Sequence, residues 1–233
     1  MYPRHDWQEE LTGPERIRGG ILLVLYFILF PLLMARVQRS IGGEAPVAEL
    51  NVIYYLLLGL TALLLLRAPL FRDFNVLLDG LPRSLGTLAA GLCVWEALGF
   101  LLDRIPLPVE DPTPWGWAAE FTMSPAATLM LLLVLIPLVE ETVFRGFLFR
   151  LVRPWSPVLA YVVSGGGFAL YCVWQLVFSY GRVDLRYLLL AMRWLPAGLA
   201  LTWCCDRSRS VWAAVLLHGT IDGVVLLRTL SAA

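Results

Sequence analysis

The residues of this chain that could do chemistry are the few ionisable side chains set inside long apolar runs: Glu96, Glu140, Glu141, Arg145, Arg193, His218 and Asp222. A charge at the centre of a bilayer costs roughly 3 kcal/mol on insertion scales, so each must be offset by a partner or a function. The run TLMLLLVLIPLVEETVFRGFLFRLV acquires two adjacent acids and then an arginine before it becomes apolar again. Glu141 and Arg145, at i and i+4, share a helix face and can pair. Glu140, about 100° round the helix, points elsewhere. The acids could instead mark a helix end at the interface, but the apolar run resumes beyond Arg145. In VWAAVLLHGTIDGVVLL, His218 and Asp222 again stand at i and i+4, facing a cavity or a partner helix. A purely structural His–Asp hydrogen bond between helices is the alternative.

The elements that must position these groups follow from run length. With 59% hydrophobic residues and a mean hydropathy of +0.73, the chain reads as all-α, a polytopic transmembrane helix bundle. A hydrocarbon layer of ~30 Å needs about 20 helical residues, because the backbone must satisfy its own hydrogen bonds there. About seven spans meet this requirement, near residues 19–36, 50–68, 84–102, 126–152, 156–180, 185–204 and 210–229. Residues 1–233 read as a single membrane domain that opens on a polar segment, 1–18. Asp6, Glu9, Glu10 and Glu15 precede the first run, which argues for a retained helix rather than a cleaved signal peptide. The bilayer is therefore the first partner.

All 18 basic residues are Arg, against 18 acids, and they sit in ones and twos at span ends. That pattern gives no nucleic-acid surface, but it does give topology. Arg4, Arg16, Arg18, Arg67, Arg72, Arg83, Arg150, Arg153, Arg207 and Arg209 fall on one side of alternating spans and form the heavier, cytoplasmic set. The N-terminus is then cytoplasmic and the 103–125 connection external, with Trp115 and Trp117 as interfacial anchors. Glu96 and Arg193 are placed to pair across the third and sixth spans. Cys93, Cys204 and Cys205 read as small buried hydrophobes, and no cysteine spacing suggests a metal site. The Ser164-Gly165-Gly166-Gly167 run, with Gly219 and Gly223, suits close approach of the fifth and seventh spans. At ~1.5 Å per residue, Glu140 lies about 18 Å, position 172 about 24 Å and His218 about 12 Å from the cytoplasmic ends. These depths are compatible with one shared cavity.

At these residues the chain resembles the CPBP family of intramembrane proteases, which includes the CAAX prenyl endopeptidases and the bacteriocin-processing or self-immunity proteins. The family pattern is EExxxR, then FxxxH, then HxxxN or HxxxD, each on its own span. The first is Glu140-Glu141-Thr142-Val143-Phe144-Arg145, and the third is His218-Gly219-Thr220-Ile221-Asp222. The second departs: Phe168 is in place, but Cys172 stands where the family has histidine, and the only other histidine is His5. The resemblance covers about residues 125–228, a CPBP-like catalytic core, and it implies a bacterial inner (plasma) membrane setting.

What the resemblance implies is a glutamate-type endopeptidase with no cofactor and no metal. Its substrate would be a membrane-associated protein or peptide with a hydrophobic or C-terminal segment. Glu140 would be the general base, Cys172 would occupy the water-orienting position, and His218 with Asp222 would form the oxyanion side. Asp222 would act by orienting the imidazole, and Glu141 with Arg145 would support Glu140. Three readings of Cys172 compete: a substitution that weakens or abolishes activity, one tolerated because Glu140 alone activates water, or a nucleophile. Zinc on Glu140, Glu141, His218 and Asp222 is disfavoured, since there is no HExxH and only one imidazole is available. The rival function is a non-catalytic membrane immunity or scaffold protein binding a peptide partner. A transporter is disfavoured because the two halves carry no inverted repeat and no paired broken helices.

Overall fold

The computed structural model describes residues 11–41, 47–178 and 183–232. Much of the polar segment 1–18, including His5, and Arg182 lie outside the described residues. Every regular element among the described residues is helical, as expected of apolar runs whose backbone has no water to bond. Seven helices are long and apolar enough to cross a membrane: Gly13–Met34, Ala48–Leu65, Leu81–Leu102, Pro125–Val152, Pro157–Phe178, Leu185–Ser208 and Val211–Ala232. These coincide with the seven expected spans, and the chain is an integral membrane helix bundle.

The fourth span is the most buried and the third the least. The sixth packs on the third, fifth and seventh, and the seventh also lies along the fourth. Around this centre Leu22, Tyr26, Leu58, Val139, Val143, Phe144, Phe168, Leu201 and Leu217 form the core. Leu32, Leu33, Leu57, Leu64, Val134 and Val162 face outward, as suits a protein whose solvent is hydrocarbon. Association of helices in lipid relies on close packing and on polar contacts. A Cβ added to Gly165 would lie 3.1 Å from the carbonyl oxygen of Gly198, and one added to Gly219 would lie 2.5 Å from that of Leu133. The glycines therefore bring the fifth span against the sixth and the seventh against the fourth. The fifth and seventh spans meet at the site through side chains, Phe168 edge-on to His218 at 5.3 Å, rather than at these glycines.

Proline is accommodated by local widening of the helix. Pro31 and Pro137 follow π-helical turns at Leu25–Leu29 and Leu131–Leu135. Such turns absorb the proline's missing N–H and its clash with the preceding turn.

Two helices that the run-length reading did not foresee connect the spans. Arg67–Asp79 leaves Phe71 and Leu78 exposed and buries Leu70, Asp73 and Leu77, the division expected of a helix lying along the interface. Asp73 anchors it: its carboxylate takes an ion pair from the Arg150 guanidinium and a hydrogen bond from the Val211 N–H at 2.9 Å. The Ser210 hydroxyl donates to the Asp73 carbonyl at 2.9 Å, and the Trp212 indole to that of Leu70 at 2.8 Å. In the second helix, Thr113–Met123, Trp115 is exposed, while Trp117 packs edge-on against Trp194 with ring centroids 6.1 Å apart.

The proposed Glu96–Arg193 pair does not form. Arg193 donates to Asp103 at 2.7 Å and to the Ile105 carbonyl at 2.7 Å, whereas Glu96 is met by Arg228 at 2.5 Å. The reason is depth: seven residues of helix separate Glu96 from Asp103, about 10 Å, and Arg193 sits level with the end of the third span. The seventh span offers Arg228 at the height of Glu96.

Because both Asp73 and Arg150 are buried, removing one charge strands the other. Asp73→Ala should lose about 3–5 kcal/mol of stability. The expected readout is a clear fall in thermal midpoint of the purified protein in detergent. Adding Arg150→Met should recover part of the loss; equal midpoints for Asp73→Ala and the unaltered chain would refute the anchor.

Candidate functional site

The fourth span carries the first part of the site. Regular α-helix runs through Ile136–Glu141 and widens into a π-helical stretch, Thr142–Phe149. π-turns often occur at functional sites, and this one re-aims the side chains that follow Glu141. Thr142 turns its hydroxyl back to the Leu138 carbonyl at 2.7 Å, so the neighbour of the two acids takes no polar partner from them.

Glu141 and Arg145 are fully buried and paired, with Nη1 to Oε1 at 2.8 Å. Arg145 then reaches the sixth span, donating from Nη2 to the Gly198 carbonyl at 2.8 Å and from Nε to the Thr202 hydroxyl at 3.4 Å. Gly198 leaves that carbonyl uncovered. The guanidinium carbon lies 4.7 Å from the centre of the Phe168 ring, a distance that supports a cation–π contact. Ser164, from the glycine-rich run, donates to the Phe144 carbonyl at 3.0 Å. One guanidinium thus ties the fourth, fifth and sixth spans together.

The seventh span adds His218 and Asp222, both buried. His218 Nδ1 lies 2.8 Å from Oε1 of Glu141, the same oxygen that receives Arg145. A carboxylate only accepts, so Nδ1 carries the proton. Nε2 of His218 stands 3.5 Å from Oδ2 of Asp222, and that oxygen receives no hydrogen bond among the described residues. The short contact of the imidazole is therefore to Glu141 rather than to Asp222. Glu141, expected only to support Glu140 from its pair with Arg145, also holds His218. The close approach of Gly219 to the fourth span permits this.

Glu140 is 6% exposed and turns away from the Glu141 side. Its polar contact is with the Tyr26 hydroxyl, which donates to Oε1 at 3.4 Å. Tyr26 comes from the first span, and its ring lies against Tyr171 with centroids 5.0 Å apart. Sequence reasoning missed Tyr26, because a tyrosine in an apolar run has the look of any core aromatic. Glu141, Arg145, His218 and Asp222 all lie within electrostatic reach of Glu140. Cys172 joins this neighbourhood, half-buried and within reach of Glu140, Asp222 and Arg145. Phe168, one turn before it, meets the His218 ring edge-on at 5.3 Å. Among the described residues, Oε2 of Glu141 and Oδ2 of Asp222 are buried acceptors with no hydrogen-bond donor. No group of three His, Cys, Asp or Glu side chains among them is arranged to hold a metal ion.

A cavity of about 490 Å³ opens between the first, second, fourth and fifth spans and the Thr113–Met123 helix. Its wall includes Tyr54, Tyr55 and Tyr171, and Tyr171 lies against Tyr26, the hydroxyl partner of Glu140. The site therefore adjoins a space large enough for side chains of another molecule.

Residues 122–224 match the family model described as Rce1-like, type II CAAX prenyl endopeptidase Rce1-like. The match supports membership of the CPBP family, and it spans the stretch that holds all six candidate residues. No curated protein and no solved structure gives a match.

Two expected outcomes follow from the geometry. Gly219→Ala would push a methyl group onto the Leu133 carbonyl and should cost about 1–3 kcal/mol, read as a lower thermal midpoint in detergent. Glu141→Gln removes the buried charge that faces both Arg145 and His218 and should cost about 3–5 kcal/mol. A Glu141→Gln protein as stable as the unaltered chain would show that Arg145 does not depend on this carboxylate.

Proposed function

We propose that this CPBP-family chain is an intramembrane endopeptidase of the glutamate type, weakened by cysteine at position 172. The supporting observation is the buried constellation on the fourth and seventh spans: a carboxylate, Glu140, left free of the ion pair, beside an imidazole fixed by Glu141. In this reading Glu140 takes a proton from a water whose oxygen attacks the peptide carbonyl carbon. The carbonyl π-electrons move to oxygen as the new C–O bond forms. His218 donates from Nε2 toward that oxyanion, which with Nδ1 donating to Glu141 requires the doubly protonated ring. As the intermediate collapses, the C–N bond breaks and Glu140 returns its proton to the leaving amine. Asp222 lies beside Nε2 and acts through the ring, since a carboxylate facing the oxyanion directly would repel it.

Cys172 stands where the family places the second water-orienting group. A thiol is a weak donor and a weak acceptor, so it holds a water less well than imidazole does. The Tyr26 hydroxyl on Glu140 supplies one fixed donor from outside the family motifs and orients the carboxylate. The substrate is a membrane-associated protein or peptide with a hydrophobic or C-terminal segment. By the arginine distribution the N-terminus is cytoplasmic, and the setting is a bacterial inner membrane. The second reading, a non-catalytic immunity or scaffold protein, draws its support from Cys172 itself.

The test is cleavage of a fluorogenic membrane-peptide library by the purified full chain. Glu140→Ala should lower cleavage by about 10²–10⁴-fold, the usual contribution of a general base. Cys172→His should raise it, by more than tenfold if water placement limits the rate. Tyr26→Phe should lower kcat more than it alters KM. Silence from the unaltered chain and from Cys172→His alike would sink the protease reading in favour of the scaffold.

A further inference from the structure

The cavity beside Glu140 has a lining that the reaction does not require. Beside aliphatic residues such as Leu131 and Ile136 and the neutral polar Asn51 and Gln175, its wall holds five aromatic rings: Tyr54 and Tyr55 from the second span, Tyr171 and Trp174 from the fifth, and Trp117 from the Thr113–Met123 helix. The one charged residue among its lining is Glu120, on that same connecting helix. Glu120 has no hydrogen-bond or ion-pair partner among the described residues. Three acids of the third and fourth spans and their ends, Glu96, Asp103 and Glu141, each hold an arginine instead. Arg193, close by in sequence to Trp194, is taken by Asp103. The Trp194 indole donates to Asp111 at 2.8 Å, so the aromatic side of the cavity is braced without using Glu120.

Resting on the protease reading above, we infer that this cavity is a specificity pocket for a positively charged residue, lysine or arginine, of the peptide being cleaved. Aromatic rings present a negative face that attracts an ammonium or guanidinium, most strongly where water is excluded. A carboxylate set among such rings adds the counter-charge and selects sign. Burial pushes the Glu120 carboxyl above its ordinary range, a penalty that a bound cation would relieve. Position favours a peptide over a lipid headgroup as occupant. Tyr171 lines the cavity and lies against Tyr26, whose hydroxyl bonds Glu140, so a residue seated there leaves its own backbone on the side of the proposed base. A volume of about 490 Å³ accommodates a long basic side chain with part of the adjoining backbone.

The experiment measures binding of three apolar peptides that differ at one position, lysine, norleucine or glutamate, to the full chain in nanodiscs of phosphatidylglycerol. The lysine peptide should bind about tenfold more tightly than the norleucine peptide, and the glutamate peptide more weakly than either. Glu120→Gln should bring lysine and norleucine to within about twofold, and Trp174→Leu should reduce the preference, both with an unchanged thermal midpoint. Glu140→Ala should keep the preference, because binding precedes chemistry. Equal binding of the three peptides, no binding at all, or a preference that survives Glu120→Gln overturns the pocket. Loss of the lysine preference in phosphatidylcholine nanodiscs also overturns it, by assigning the cavity to a choline headgroup. The two readings fail separately. A charge preference without any Glu140-dependent cleavage retains the cation site and removes the protease, whereas Glu140-dependent cleavage indifferent to charge does the reverse.

Discussion

One carboxylate oxygen carries the centre of this protein. Oε1 of Glu141 receives the Arg145 guanidinium and the His218 ring, each at 2.8 Å. Arg145, Glu141 and His218 are 0%, 0% and 3% exposed, so water contributes almost nothing to solvating them. A buried charge without its partner is among the costliest defects a fold can carry. The spans bearing these three groups therefore cannot separate independently. Arg145 extends the constraint to the sixth span through the Gly198 carbonyl, and Phe168 extends it to the fifth through both the guanidinium and the imidazole. Four of the seven spans converge on this one group.

That constraint matters more here than it would in water. Apolar side chains of the bundle gain little by leaving lipid tails for one another, so shape and polar contacts decide which helices meet. The glycines act on shape: Gly165 against Gly198 and Gly219 against Leu133 bring backbones close enough for short side chains to reach across. Ser164 uses that proximity, donating to the Phe144 carbonyl of the fourth span and lying 3.4 Å from the Thr202 hydroxyl of the sixth. At the other end of the fourth span, Asp73 and Arg150 repeat the principle on the connecting helix. The site is thus held at two levels, by a charge cluster in mid-bundle and by a second one where the chain turns back into the membrane.

What could be read without coordinates divides along the range of the interactions. Span number and placement depend on local composition, and all seven were legible. The Glu141–Arg145 pair is an i, i+4 contact within one helix, and it too was legible. Contacts between helices were not. Glu96 and Arg193 were matched by charge alone, yet the arginine at the right depth for Glu96 is Arg228. His218 was assigned to Asp222 because they share a face, while its shortest contact comes from another span. Tyr26 lies 114 residues from Glu140, and nothing in a tyrosine among leucines marks it as a donor to a buried acid. The connecting helix Arg67–Asp79 was hidden for a related reason: its half-exposed pattern is too polar for a span and too short to stand out.

The departure at position 172 separates two roles that the motif joins. Phe168 and residue 172 stand one turn apart on the fifth span, but they face different neighbours. Phe168 is buried against Arg145, Phe144 and His218, so its replacement would open the charge cluster on which the bundle depends. Cys172 is only half-buried, next to Tyr171 on the cavity wall, and makes no hydrogen bond among the described residues. There it packs against the main core as a small hydrophobe. The aromatic position is thus tied to the charge cluster, and position 172 is not. With cysteine at position 172, Glu141, Arg145 and His218 still form their buried cluster, and Glu140 still takes the Tyr26 hydroxyl.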